Sequence, residues 1–140
     1  MYSLDELKQQ NREIADLCQV LSVLVEKPEL RMNMVVCDLV SRFKEKVWLH
    51  LVFEDKALYA DLLAQRDTGA AATAERYRVG AHSLKKQFAD YQKHWCITDP
   101  EATDHEAFVR ESREIFRRIL DRVRVENEEI FPLLENVQPA

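Results

Sequence analysis

The sequence predicts an all-α protein, an up-down-up-down four-helix bundle. Three observations carry that expectation. Only two glycines and four prolines interrupt 140 residues, so strong helix formers run nearly unbroken. Apolar residues recur at spacings of three and four in long segments. The breaks between segments are short, and short connections favour antiparallel neighbours. A single domain over residues 1–140 is the matching expectation, since this length can bury a core of its own.

The first helix is expected over 4–26. Ser3-Leu4-Asp5-Glu6 reads as a capping box at its start, and Lys27-Pro28 ends it. Its stripe is Leu4, Leu7, Asn11, Ile14, Cys18, Leu21 and Val25. The second helix, 30–66, runs to Asp67-Thr68-Gly69 and aligns Val36, Val40, Phe43, Val47, His50, Glu54, Leu58 and Leu62. The third, 72–95, aligns Tyr77, Ala81, Leu84, Phe88, Tyr91 and Trp95, and stops in a stretch containing Asp99-Pro100. The fourth, 104–136, is capped by Thr103-Asp104-His105-Glu106 and centres on Ile115, Ile119, Val123 and Ile130, with Phe116 and Leu120 beside them.

Bulk properties narrow the function. Hydrophobic residues make up 46% and charged residues 32%, with a net charge of −5 and a pI near 5.4. That balance offers no basic footprint for nucleic acid. No apolar stretch approaches the roughly 20 residues that cross a bilayer, and the polar, mixed-charge start MYSLDELKQQ is unlike a secretory signal. Three scattered cysteines, Cys18, Cys37 and Cys96, form no CxxC pair. An odd, unpaired set is expected to stay as reduced thiols, each a small core residue, in a cytoplasmic protein. No nucleophile–base constellation, glycine-rich phosphate loop or paired-cysteine site points to an ordinary hydrolase, kinase or redox catalyst.

The interruptions in the stripes carry the chemistry. His50 and Glu54 lie one helical turn apart, with Glu54 near the middle of its stripe. Asn11 interrupts the first stripe, and Arg122 and Glu126 flank the fourth. Residues 50–63, HLVFEDKALYADLL, and 122–135, RVRVENEEIFPLLE, align as one design. His50 then corresponds to Arg122, Glu54 to Glu126, and Leu58-Tyr59-Ala60 to Ile130-Phe131-Pro132. In a bundle, this brings Glu54 and Glu126 toward each other across the interior. Two inward carboxylates are costly unless something positive lies between them. Bundles commonly meet that need with metal ions held by carboxylates and imidazoles on facing helices.

On these residues the chain resembles the hemerythrin-like (HHE) cation-binding family over nearly its whole length. The family's second and fourth helices carry His-x-x-x-Glu followed by an aliphatic-aromatic-proline end. His50, Glu54 and Leu58-Tyr59 match on the second; Glu126 and Ile130-Phe131-Pro132 match on the fourth. The opening LKQQNREIADL is similar to the family's first helix. The resemblance implies histidines that bind two irons and carboxylates that bridge them, in support of oxygen binding, oxygen or redox sensing, or iron repair.

The match also departs from the pattern. Asn11 and Arg122 stand where the family carries histidines on the first and fourth helices. On the third helix, Ala81, or Tyr77 a turn earlier, falls at the inward position. His82 lies roughly 150° from the centre of that stripe, although a slipped register or a bulge near Gly80 would turn it inward. His94 and His105 are expected in solvent. Arg122 cannot coordinate a metal. It either sits between Glu54 and Glu126 as an internal cation or snorkels to water beside its stripe.

The metal candidates are therefore His50, Glu54 and Glu126, with His82 as a further one, and Asn11, Tyr77 and Arg122 are expected to line the same site. A di-iron centre is not expected; either no cofactor or a single divalent ion, iron in the first place, is. The leading expectation is a binding or regulatory module acting on an unidentified protein partner, with no nucleic-acid or membrane role. The alternative is a metal-dependent protein for oxygen or redox sensing, with a mononuclear or atypical site.

Overall fold

The structure, a computed structural model, describes residues 4–29, 35–54, 68–98 and 105–137. It is all-α, a four-helix bundle with no strand among the described residues. Helix α1 spans Leu4–Leu24, α2 Val35–Phe53, α3 Thr68–Gln92 and α4 His105–Val125. A π-helical segment, Lys93–Thr98, extends α3. A π-helical turn, Glu126–Ile130, joins α4 to a last short helix α5, Phe131–Val137.

Neighbouring helices run antiparallel, as the pairs between them show. Gln10 meets His50 and Glu13 meets Lys46 between α1 and α2. Ser41 meets Gln92 and Cys37 meets Cys96 between α2 and α3 with its extension, and Gln87 meets Arg118 while Tyr91 meets Ser112 between α3 and α4. Asn11 meets Glu126, and Cys18 meets the carbonyl of Phe116, between α1 and α4 with the π turn that follows it. In each pair one number rises as the other falls.

The expected stripes form the core. Leu7, Ile14, Cys18, Leu21 and Val25 are buried along α1, as are Val36, Val40, Phe43 and Val47 along α2. Leu84, Phe88, Tyr91 and Trp95 are buried on α3 and its extension, and Ile115, Phe116 and Ile119 on α4. Aromatic rings interlock through this core. Phe43 lies edge-on to Phe116 at 6.0 Å, Trp48 edge-on to Phe88 at 5.5 Å, and Trp95 against Phe108 at 5.3 Å. Each fully buried ring, such as Phe43, Phe88, Phe108 or Phe116, contributes about 1.5–3 kcal/mol through burial. A smaller apolar cluster of Leu7, Ala74, Ile130 and Phe131 closes the other end. The polar interruptions fall between the two clusters.

Several boundaries differ from expectation. Thr68 and Gly69 open α3 instead of ending the second helix, because alanines 70–72 and Thr73-Ala74 carry the helical pattern back to them. The helix after Gln92 winds more loosely, and Tyr91 and Trp95 are both buried. The π turn before Phe131 has a cause in Pro132. Its ring clashes with the carbonyl four residues back, and the wider turn relieves that clash. The expected stretches 30–34 and 55–66, with Leu58 and Leu62, lie outside the described residues.

The cysteine expectation is corrected. Cys37 and Cys96, 59 positions apart, form a disulfide between the first turn of α2 and the extension of α3. Sequence spacing cannot reveal this pair. It arises because the start of α2 and the end of α3 lie side by side in an antiparallel bundle. Cys18 is the free, buried cysteine, and burial pushes its thiol up to about 12, so it acts as an inert core residue. The bridge removes the thiol argument for a cytoplasmic location. No helix among the described residues is long and apolar enough to cross a membrane.

Candidate metal centre

Between the two apolar clusters, α2 and the π turn after α4 bring His50, Glu54 and Glu126 together. Their side chains are 4%, 0% and 1% exposed. His50 Nε2 lies 3.0 Å from Glu54 Oε1 and 2.9 Å from Glu126 Oε1. One ligand atom from each residue falls within 4.8 Å of the others. The two carboxylates thus converge across the interior, as the repeated pattern of helices two and four implies.

The surrounding groups fix this arrangement. Asn11 is fully buried and donates from Nδ2 to Glu126 Oε1 at 3.1 Å and to Asn127 Oδ1 at 3.3 Å. Arg122 is an internal cation, its side chain 11% exposed. Its Nε donates to Glu126 Oε2 at 2.9 Å, its Nη1 donates to the Tyr77 carbonyl at 2.9 Å, and its Nη2 lies 3.9 Å from Glu54 Oε1. Of the two arrangements open to Arg122 in the sequence, the inward one is adopted. The α3 backbone supplies the reason, since the Tyr77 carbonyl accepts from the inward-turned guanidinium.

The third helix contributes no ligating side chain. Ala81 occupies the inward position, and His82 is exposed, so His82 does not join the cluster. The helix is unbroken at Gly80, and without a bulge the ordinary phase turns His82 outward. Tyr77 also differs from expectation. Its hydroxyl donates to Glu129 Oε2 at 2.5 Å, away from His50, and only its carbonyl and ring meet Arg122. Gln10 was not among the expected residues, yet its Oε1 accepts from His50 Nδ1 at 2.7 Å. Its neighbour Asn11 carries the stripe, and Gln10 reaches the imidazole from the stripe's edge.

Electrostatics divides the two carboxyls. Burial opposes a charge on His50, but Glu54 and then Glu126 outweigh it and hold the imidazolium up to about 10. Burial, then the charge of Glu126, pushes Glu54 well above the usual carboxylate range. Burial works the same way on Glu126, yet His50 and Arg122 overcome it and pull Glu126 down. Two like charges this close do not ionise independently; one carboxyl takes the negative charge and the other retains a proton. The imidazolium of His50 and the guanidinium of Arg122 both face the ionised carboxyl.

The donor set fits one divalent ion. An imidazole and two carboxylates suit iron, zinc or a similar metal. Gln10 holds the proton on His50 Nδ1, so an ion that displaced the Nε2 proton would meet that nitrogen's lone pair between the carboxylates. Glu54 Oε2 is buried without a hydrogen-bond partner among the described residues. An ion there would act as a Lewis acid or a one-electron centre. The same residues do not fit two irons. Asn11, Ala81 and Arg122 stand where further imidazoles are needed, and a guanidinium repels a cation.

A comparison with protein-family models matches residues 3–134 to the hemerythrin HHE cation-binding domain. No curated protein and no solved structure gives a significant match. With a matching model across almost the whole chain, a helical bundle, and a buried imidazole set between two carboxylates, the chain belongs to the hemerythrin HHE cation-binding domain family.

Proposed function

We propose that the chain is a hemerythrin-fold binding and regulatory module whose interior takes at most one divalent ion. The supporting observation is Arg122, whose guanidinium lies 2.9 Å from Glu126 and 3.9 Å from Glu54. It supplies beside the carboxylates the positive charge that a second ion would bring. In this reading the bundle works through its surfaces, on a protein partner, and not by turnover at a di-iron centre. The acidic net charge argues against nucleic acid as that partner.

A second reading is a mononuclear iron site for oxygen or redox sensing. It is favoured by the convergence of His50 Nε2 with two carboxylates and by the unpartnered Glu54 Oε2. Elemental analysis of protein expressed with ample iron tests the proposal. At most one iron per chain is expected, with no near-ultraviolet or visible bands of an oxo-bridged pair. Two irons per chain would overturn the proposal. A single tightly held iron, with spectra that change under oxygen or reductant, would favour the second reading.

A further inference from the structure

A surface pocket of about 260 Å³ opens between α3 and α4, on the outer side of Arg122. Its charged groups are Arg76, Arg118 and Arg122 against the single acid Asp121. In a chain of net charge −5, this is a local excess of positive charge. The rest of the wall is apolar: Leu84, Val125 and the Tyr77 ring.

Gly80 forms part of this wall, and a glycine inside a helix is costly in conformational freedom. A methyl group at that position would meet only Arg122 Nη1, at an ordinary 3.6 Å. Packing alone therefore does not demand glycine there. The missing side chain keeps the pocket clear.

We propose that this pocket binds a small organic carboxylate. Its carboxyl group sits on the guanidinium groups of Arg76 and Arg118, and its apolar body rests against Leu84, Val125 and Tyr77. Arg122 closes the inner end, held there by Glu126 and the Tyr77 carbonyl. The planar fork of a guanidinium matches a carboxylate with two parallel hydrogen bonds. Asp121 and the apolar walls disfavour a doubly charged, strongly hydrated anion such as inorganic phosphate. The site lies outside the His50, Glu54 and Glu126 group, shares Arg122 with it, and does not require a metal ion.

Calorimetric titration of chelator-treated protein with sodium benzoate, in low-salt buffer free of other carboxylates, tests the proposal. One saturable site is expected, with a dissociation constant on the order of 1 mM for so small a ligand. Gly80→Leu fills the pocket beside Arg122 and should weaken binding at least tenfold. Arg118→Gln removes one guanidinium and should weaken it about fivefold or more; it decides the matter alone if Gly80→Leu does not fold. Absence of saturable binding, benzoate affinity unchanged in the folded variants, or phosphate binding more tightly than benzoate would each overturn the proposal.

Discussion

Replacing Arg122 by alanine removes the cation that faces both buried carboxyls. Glu126 loses a 2.9 Å ion pair, and Glu54 loses a positive charge 3.9 Å away. Both carboxyls are essentially inaccessible to water, so solvent cannot take over. Breaking a buried pair by deleting one partner costs about 3–5 kcal/mol. His50 still faces both carboxyls, which places the expected loss near the lower end, about 3 kcal/mol. The melting temperature should fall by roughly 10 °C for a domain of this size. The sign with pH follows from Glu126. Its lowered folded-state value contributes stability above the unfolded value near 4.3, and that contribution is lost as pH falls. Without Arg122 that contribution shrinks, so the deficit is largest at neutral pH and smaller in mild acid. Urea unfolding followed by far-ultraviolet circular dichroism at two pH values measures both effects. A change within about 0.5 kcal/mol, as expected for an exposed arginine, or a deficit that ignores pH, would refute the internal-cation reasoning.

The other expectations use the same groups. In metal-free protein, His50 contributes stability that is complete below its unfolded value near 6.5 and is lost as pH rises through about 10. The raised Glu54 acts in the same direction, because its ionisation in the folded state lags behind that of the unfolded chain. Urea unfolding across pH should therefore show stability falling from about pH 4.5 through Glu54 and, above about pH 6.5, through His50 as well, at roughly 1.4 kcal/mol per pH unit for each excess proton held by the folded state. A flat profile to pH 10 would contradict the charge assignment. Reducing the Cys37–Cys96 bridge opens a 59-residue loop and should lower stability by about 4 kcal/mol on the chain-entropy estimate. Denaturation with and without a dithiol reductant checks this, and equal midpoints would contradict it.

Much of the bundle was legible because its period is strict. Leu7, Ile14, Cys18 and Leu21 on α1, or Phe43 and Val47 on α2, are buried at the spacings that the apolar pattern sets. The polar cluster was legible because His50, Glu54 and Glu126 break those stripes where two helices repeat one pattern. What escaped depends on neighbours in space. The Cys37–Cys96 bridge joins residues that no local spacing connects. The inward course of Arg122 depends on the α3 backbone carbonyl at Tyr77. Gln10 lies at the edge of its stripe, and a long polar side chain there reads equally as a solvent-facing residue. Pro132 carried a local signal for the π turn, though not for its length.

The central claim is that Asn11 and Arg122 replace metal ligands, with Arg122 supplying the charge of an ion. Metal titration of chelator-treated parent, Asn11→His, Arg122→His and the double variant tests it most directly, with Zn(II) as the calorimetric probe. Arg122→His removes a competing cation beside Glu126 and adds an imidazole; Asn11→His adds one next to the same carboxylate. Supporting hydrogen bonds tune metal affinity by about 10–100-fold, so restoration is expected to be partial. The double variant should bind Zn(II) at least tenfold more tightly than the parent, with Arg122→His contributing more than Asn11→His. Equal affinities across the four proteins would contradict the account and leave His50, Glu54 and Glu126 as a hydrogen-bonded group in the core.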